Sequence, residues 1–232
     1  MPLAMHGFQA MMLDEFSALF LEFLDSRAAT LGAEGGGLYD FYLRRLKLRR
    51  ALLNSEDLAA TTILNELPRY ASYVEIGCGF GQLCSLLAIN RLTVSAIECD
   101  AARFSGLDEL RTLVASRWPE AQSRLTAVMS RFPCPLPGTI PAVSLVITTN
   151  LIHGTSFEAE QAIIDGMSAY AAALVDTLRF CRDRTTAEDW AELDARFDGA
   201  GLAKHRIFGT AVGERLVWYV RQPPGRRSPG PG

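Results

Sequence analysis

Apolar residues near the start of the chain recur at helical spacing. Phe16, Phe20, Phe23 and Leu24 fall on one face, with Asp14, Glu15, Glu22 and Asp25 between them, which predicts a helix over roughly residues 12–30. The run GAEGGG, residues 32–37, breaks it. A second helix, dense in Leu and Arg, is predicted from about Leu38 to Leu53. Asn54 with Asp57 three residues later marks the start of a third, which carries Leu58, Ile63 and Leu67 and stops before Pro68. The first 70 residues therefore read as helical.

Beyond them the period changes. Short apolar runs at Tyr73–Ile76, Leu92–Ile97, Leu125–Met129, Val143–Thr148 and Ala172–Phe180 read as buried strands. Helical stretches lie between them. One carries Leu83, Leu86 and Leu87, and one runs from about Ala101 to Trp118. One with Ile163, Ile164 and Met167 opens on a capping box of Thr155 and Glu158. One with Trp190, Leu193 and Phe197 opens on Thr185 and Glu188, and Gly199 stands where its end wants a left-handed residue. Strands alternating with helices predict an α/β fold, a doubly wound and mostly parallel sheet covered on both faces. The end departs from that rule. Lys204–Thr210 and Arg215–Arg221 are strand-like runs separated by four residues, the spacing of an antiparallel hairpin. Residues 222–232, QPPGRRSPGPG, read as a disordered tail. The expected organisation is a helical cap or lid over 1–70, an α/β domain over 71–221, and the tail.

Composition adds limits. A chain of 232 residues with 49% hydrophobic and 21% charged residues suits one sizeable core. No apolar run approaches the ~20 residues of a membrane span. The first residues lack the basic start of a secretory signal, so none is expected. Cys78, Cys84, Cys99, Cys134 and Cys181 form no C-x-x-C pair, which argues against a disulfide framework or a structural zinc and for a reducing cytoplasm. A net charge of -3 argues against nucleic acid as a partner and against an anionic membrane. Of 23 basic residues only Lys47 and Lys204 are lysine, a bias we read as codon usage in a GC-rich bacterial genome.

The chemistry concentrates in Val74-Glu75-Ile76-Gly77-Cys78-Gly79-Phe80-Gly81-Gln82, between a predicted strand and a predicted helix. Glycines are needed where the chain turns tightly and where backbone must approach a ligand with no Cβ in the way. The N–H groups of the next helix then face that ligand. A dinucleotide fingerprint needs a third glycine at position 82, where Gln82 stands instead. What is present is E-x-G-x-G-x-G, and this resembles motif I of the class I S-adenosylmethionine-dependent methyltransferases. Thr93–Glu98 is similar to that family's second strand, with Glu98 at its end 21 residues after Gly77. Leu145–His153 resembles the fourth strand and its loop, and the closing hairpin resembles the reversed last strand of a seven-stranded sheet. The resemblance covers roughly residues 70–221.

It implies a site for S-adenosylmethionine made of Glu75, Gly77, Cys78, Gly79 and Gly81, then Glu98 and Cys99, Met129 and Ser130, and Thr149. Glu98 would accept the ribose hydroxyls, since a carboxylate is acceptor-only. Where many members carry an acid near the adenine, this chain has Val128-Met129-Ser130-Arg131-Phe132. Met129 and Phe132 would pack on the adenine and Ser130 would hydrogen-bond it. No N-P-P-Y or D-P-P-Y follows the fourth strand, so methylation of nucleobases or glutamine is not carried over. No metal is implied.

Single residues carry plainer readings beside these. His153 is a candidate general base, or a loop histidine with no part in chemistry. Asn150 is a candidate for orienting the substrate, or a turn residue. Asp100 reads as a helix N-cap. Arg44, Arg45, Lys47, Arg49 and Arg50 read as a solvated helix face, or as a foothold for an anionic group of substrate or cofactor. Tyr39 and Tyr42 on the same segment are candidates for a lid. The resemblance implies methyl transfer to an oxygen or nitrogen of a small molecule. The competing classes are a non-catalytic cofactor-binding or interaction protein, and a methyltransferase acting on protein or RNA. Oligomeric state is left open.

Overall fold

The computed structural model describes residues 3–33, 37–53, 55–151, 156–209 and 213–223. The expected tail falls almost wholly outside them, as do Asn54, His153 and Thr155. Three helices come first: α1 (Leu3–Ala33), α2 (Gly37–Leu48) and α3 (Ser55–Asn65). The α/β part follows as β1 (Ser72–Ile76), α4 (Gln82–Ile89), β2 (Val94–Glu98), α5 (Ala101–Arg117), α6 (Pro119–Gln122) and β3 (Leu125–Met129). It continues with β4 (Ser144–Thr148), α7 (Phe157–Met167), β5 (Ala172–Asp176), α8 (Ala187–Gly199), β6 (Leu202–Gly209) and β7 (Arg215–Arg221).

The strands form one seven-stranded sheet in the order β3-β2-β1-β4-β5-β7-β6. The first five are mutually parallel, and β7 runs antiparallel to both β5 and β6. The expected hairpin is therefore real, and its second strand is the reversed one inserted against β5. Successive strand residues point to opposite faces. Tyr73, Ala96, Leu145 and Leu174 join a core with α1, α3, α4 and α5, while Val74, Ile97, Val146 and Val175 join a second core with α7 and α8. In α1, Phe16, Phe20, Phe23 and Leu24 are all buried in the first of these cores, as the spacing predicted.

Several boundaries differ from the sequence reading, each for a local reason. The second helix ends at Leu48 rather than Leu53, because Arg49 adopts φ +51° and Arg50 N–H returns to the Arg45 carbonyl. The fifth strand ends at Asp176 rather than Phe180, because the Asp176 carboxylate takes the Leu178 N–H at 3.2 Å and turns the chain. Ser156, not Thr155, is the described cap of α7, accepting from Ala159 N–H. The capping box of α8 is Thr186 with Asp189, one residue later than read. Gly199 closes the helix, and the left-handed residue is Gly201 at φ +86°.

Strand order reverses between β1 and β4, which leaves a crevice at their carboxyl ends, the place where open α/β sheets bind ligands.

Candidate functional site

The glycine loop leaves β1 and enters α4 at this crevice. Gly77, Gly79 and Gly81 all adopt left-handed φ, +69°, +60° and +82°, so every second residue needs the freedom that only glycine has at no cost. A Cβ on Gly77 would meet Leu151, and one on Gly79 would meet the Tyr42 hydroxyl from α2.

The loop's N–H groups are committed. Gly77 and Cys78 donate to the Ile97 carbonyl at 2.9 and 3.1 Å, and Gly81 to the Cys78 carbonyl at 2.9 Å. Gly79 N–H donates to Glu98 Oε2 at 2.9 Å. Phe80 N–H donates to the Tyr42 hydroxyl oxygen at 3.2 Å.

Beside the loop lies a cavity of about 490 Å³ over the ends of β1, β2 and β3, lined also by Ala159, Ala162 and Ile163 of α7. Ile97, Phe132, Leu151 and Ile163 give it apolar walls, and Glu98, Asp100, Ser130, Arg103 and Arg131 give it polar ones. Glu98 sits at its edge and is 2% exposed. Its Oε1 accepts from the N–H groups of Cys99 and Asp100 at 2.8 and 2.9 Å. With Gly79 on Oε2, three of roughly four acceptor directions are taken, and one on Oε2 is left.

The structure gathers some expected site residues and separates others. Gly77, Glu98, Cys99 and Ser130 line the cavity. Gly79 and Gly81 lie in the loop, packed under Tyr42 and Leu107. Cys78 is buried beneath it, and burial pushes its thiol well up. Met129, at the end of β3, is 55% exposed and does not line the cavity; Phe132 supplies the aromatic wall instead. Thr149 is buried outside the cavity. Asp100 caps α5 as read, accepting from Arg103 N–H at 2.9 Å. His153 lies outside the described residues.

Glu75 is buried behind the loop, with Oε2 lacking a hydrogen-bond partner. Burial, then the nearby carboxylates Glu56 and Glu98, push its carboxyl up to about 8. At neutral pH it is a protonated acid rather than an anion.

On the other side of the crevice, Asn150 holds φ +52° just past β4. Its N–H donates to Asp176 Oδ2 at 3.4 Å, and its side-chain oxygen accepts from Arg179 at 2.8 Å, which leaves the buried Nδ2 without a partner. Burial raises the carboxyls of Asp176 and of Glu214, which sits just before β7 at the same sheet edge. The sequence does not single out Asp176 and Arg179, because the apolar pattern predicts one strand running through both to Phe180. An acid closing a strand, as Glu98 does, was the available signal.

The basic cluster on α2 divides. Arg44, Lys47, Arg49 and Arg50 are exposed. Arg45 is fully buried and belongs to neither reading of that cluster, because it pairs with both oxygens of Glu56 at 2.7 Å. Glu56 also accepts from the Gln82 side chain at 2.6 Å, which ties α2 and α3 to the exit of the glycine loop. Among the described residues, no group of three or more His, Cys, Asp or Glu is arranged to hold a metal ion.

No protein-family model matches the chain, and no curated protein matches its sequence. Solved structures do. The pyocyanin biosynthetic protein PhzM shares 17% identity over 72% of this chain at a TM-score of 0.53; this chain spans only 56% of that protein's length. A TehB-like S-adenosylmethionine-dependent methyltransferase from Corynebacterium glutamicum shares 16% identity over 79% of this chain and 96% of its own, at 0.54. The magnesium protoporphyrin IX methyltransferase ChlM from Synechocystis, with S-adenosylmethionine bound, shares 18% over 72% of this chain and 78% of its own, at 0.56.

Proposed function

We propose, from the premise of a class I methyltransferase fold, that this chain binds S-adenosylmethionine in the crevice and transfers its methyl group to an oxygen or nitrogen of a small molecule. The observation that carries the reading is the joining of a triple-glycine cradle, an acid at the end of β2 and a cavity with apolar walls. Those parts fit the cofactor. Ile97, Phe132 and Ile163 suit an adenine, Ser130 can hydrogen-bond it, and the remaining acceptor direction of Glu98 suits a ribose hydroxyl. When bound, the sulfonium supplies an already activated methyl group.

The protein then has to hold the acceptor in line and exclude water. Asn150 stands on the acceptor side, fixed through its main chain by Asp176 and through its side chain by Arg179. Its buried Nδ2 has no hydrogen-bond partner, and a small turn of the side chain would offer it as a donor to an oxygen of the acceptor. His153 is the candidate base for a nucleophile that must lose a proton. Arg179 and the exposed cations of α2 leave room for an anionic group on the substrate. Five free thiols fit a reducing cytoplasm, and no helix among the described residues is long and apolar enough to cross a membrane.

Titration calorimetry with S-adenosylmethionine tests the reading. Glu98→Gln should weaken binding roughly tenfold or more, as expected for one hydrogen bond to a charged acceptor. Glu98→Ala would strip three N–H groups of their acceptor, whereas the Gln variant keeps an oxygen for Cys99 and Asp100 and turns its NH2 toward Gly79 N–H and the hydroxyl. A melting curve of each variant must therefore accompany the titration, to separate the hydroxyl contact from the loop's own loss. No binding by the unaltered chain would favour the second reading, a non-catalytic member. That reading draws on the glycine loop, whose N–H groups already have partners within the protein.

A further inference from the structure

We infer that the Tyr42 hydroxyl is an internal occupant of the cofactor's carboxylate seat, and that the amino-acid end of the cofactor displaces it on binding. This rests on the cofactor reading above. The glycine loop has only two N–H groups not committed to main-chain carbonyls, those of Gly79 and Phe80. Gly79 N–H faces Glu98, an ionisable acid whose Oε1 is held by two further N–H groups. Phe80 N–H faces only a phenol oxygen at 3.2 Å. A carboxylate is a stronger acceptor than a phenol, so an anionic ligand end gains most at Phe80 N–H.

The space above Gly79 makes the same point. Glycine there leaves a gap that a Cβ would close, and the Tyr42 hydroxyl fills it. The Tyr42 ring stacks on Phe80 at 4.1 Å between centroids, which aims the hydroxyl at the loop's crest. Arg103 lines the adjoining cavity, and its charge bears on the Tyr42 hydroxyl, so a cation stands on the cavity side of that hydroxyl. With adenine against Phe132 and a ribose hydroxyl on Glu98, the far end of the cofactor would leave the cavity past Gly77, the glycine of the loop that lines it, toward this crest. The element that carries Tyr42 is held by the Arg45–Glu56–Gln82 chain of hydrogen bonds. Displacement therefore means rotation of one side chain, or a shift of α2 against that anchor.

Calorimetry on the full chain with Tyr42→Phe decides it, since the ring and its stacking remain. The variant should bind S-adenosylmethionine and S-adenosylhomocysteine roughly two- to tenfold more tightly, the equivalent of one ordinary hydrogen bond no longer to be broken. Its affinity for 5′-methylthioadenosine, which lacks the amino-acid end, should be unchanged. Backbone hydrogen exchange at Phe80 in the unaltered chain should slow when S-adenosylhomocysteine is added, as a carboxylate replaces the phenol. Weaker or equal binding of S-adenosylmethionine by Tyr42→Phe overturns the inference, because Tyr42 would then be a wall of the site or irrelevant to it. An equal gain for methylthioadenosine also overturns it. If no adenosyl compound binds either protein, the cofactor reading itself falls, and the inference with it.

Discussion

The Glu75 carboxyl is buried beside Glu56 and Glu98 and keeps its proton up to about pH 8, against 4.5 for an ordinary glutamate. Between those values the folded chain binds a proton that the unfolded chain has lost. Stability from this group is therefore full below about pH 4.5 and declines as pH rises through 8. Glu75→Gln should remove that decline, so its melting temperature should exceed the parent's increasingly up to pH 8 and by a constant margin above. Melting curves at a series of pH values check this, and a margin independent of pH would show that Glu75 is ionised when folded. The loop glycines and Glu98 were legible in the sequence because turn geometry and strand ends restrict residue type. Tyr42 could be placed only on a lid, and the burial of Arg45 was hidden. Neither spacing nor charge reveals that Glu56, 11 residues further on, returns to pair with it.

Helix ends show where the reading of elements fails. α2 and α4 both end in a left-handed residue, and in both it is an arginine, Arg49 at φ +51° and Arg91 at φ +65°. In each, the closing hydrogen bonds are those of a glycine-ended helix. Sequence signals for a helix stop are glycine or asparagine, so the pattern predicts α2 five residues longer than it is. Arg91 is exposed, so Arg91→Gly should relieve the strain of a side chain in that conformation and stabilise the chain by about 1 kcal/mol. That should appear as a rise of roughly 2–4 °C in melting temperature, and a fall would mean that the side chain contributes more than its backbone costs. The central strands β1, β2 and β4 match the sequence closely because burial on both faces leaves unbroken apolar runs. Caps slipped by one residue because Thr185 and Thr186 are chemically alike, and only geometry chooses between them.

At the scale of the molecule, the helical start and the α/β part share one core. Phe23 meets Phe80 of the glycine loop edge to face at 5.6 Å, and Phe20 is fully buried in the same cluster. Phe20→Ala should cost about 3–5 kcal/mol and shift a single urea transition of the whole chain, although the residue lies 57 positions before Gly77 of the glycine loop. Two separate transitions, with only the first moved, would instead mark residues 1–70 as an independent unit. The order of strands carries one last consequence. β7 is the final strand in the chain, yet it lies between β5 and β6, which precede it. During synthesis the nascent β6 has no neighbour in the sheet and β5 has a bare edge until Arg215–Arg221 emerges. Assembly of this side of the sheet is thus a late event, and a chain stopped short of Arg215 would expose two open edges ready to pair with other molecules.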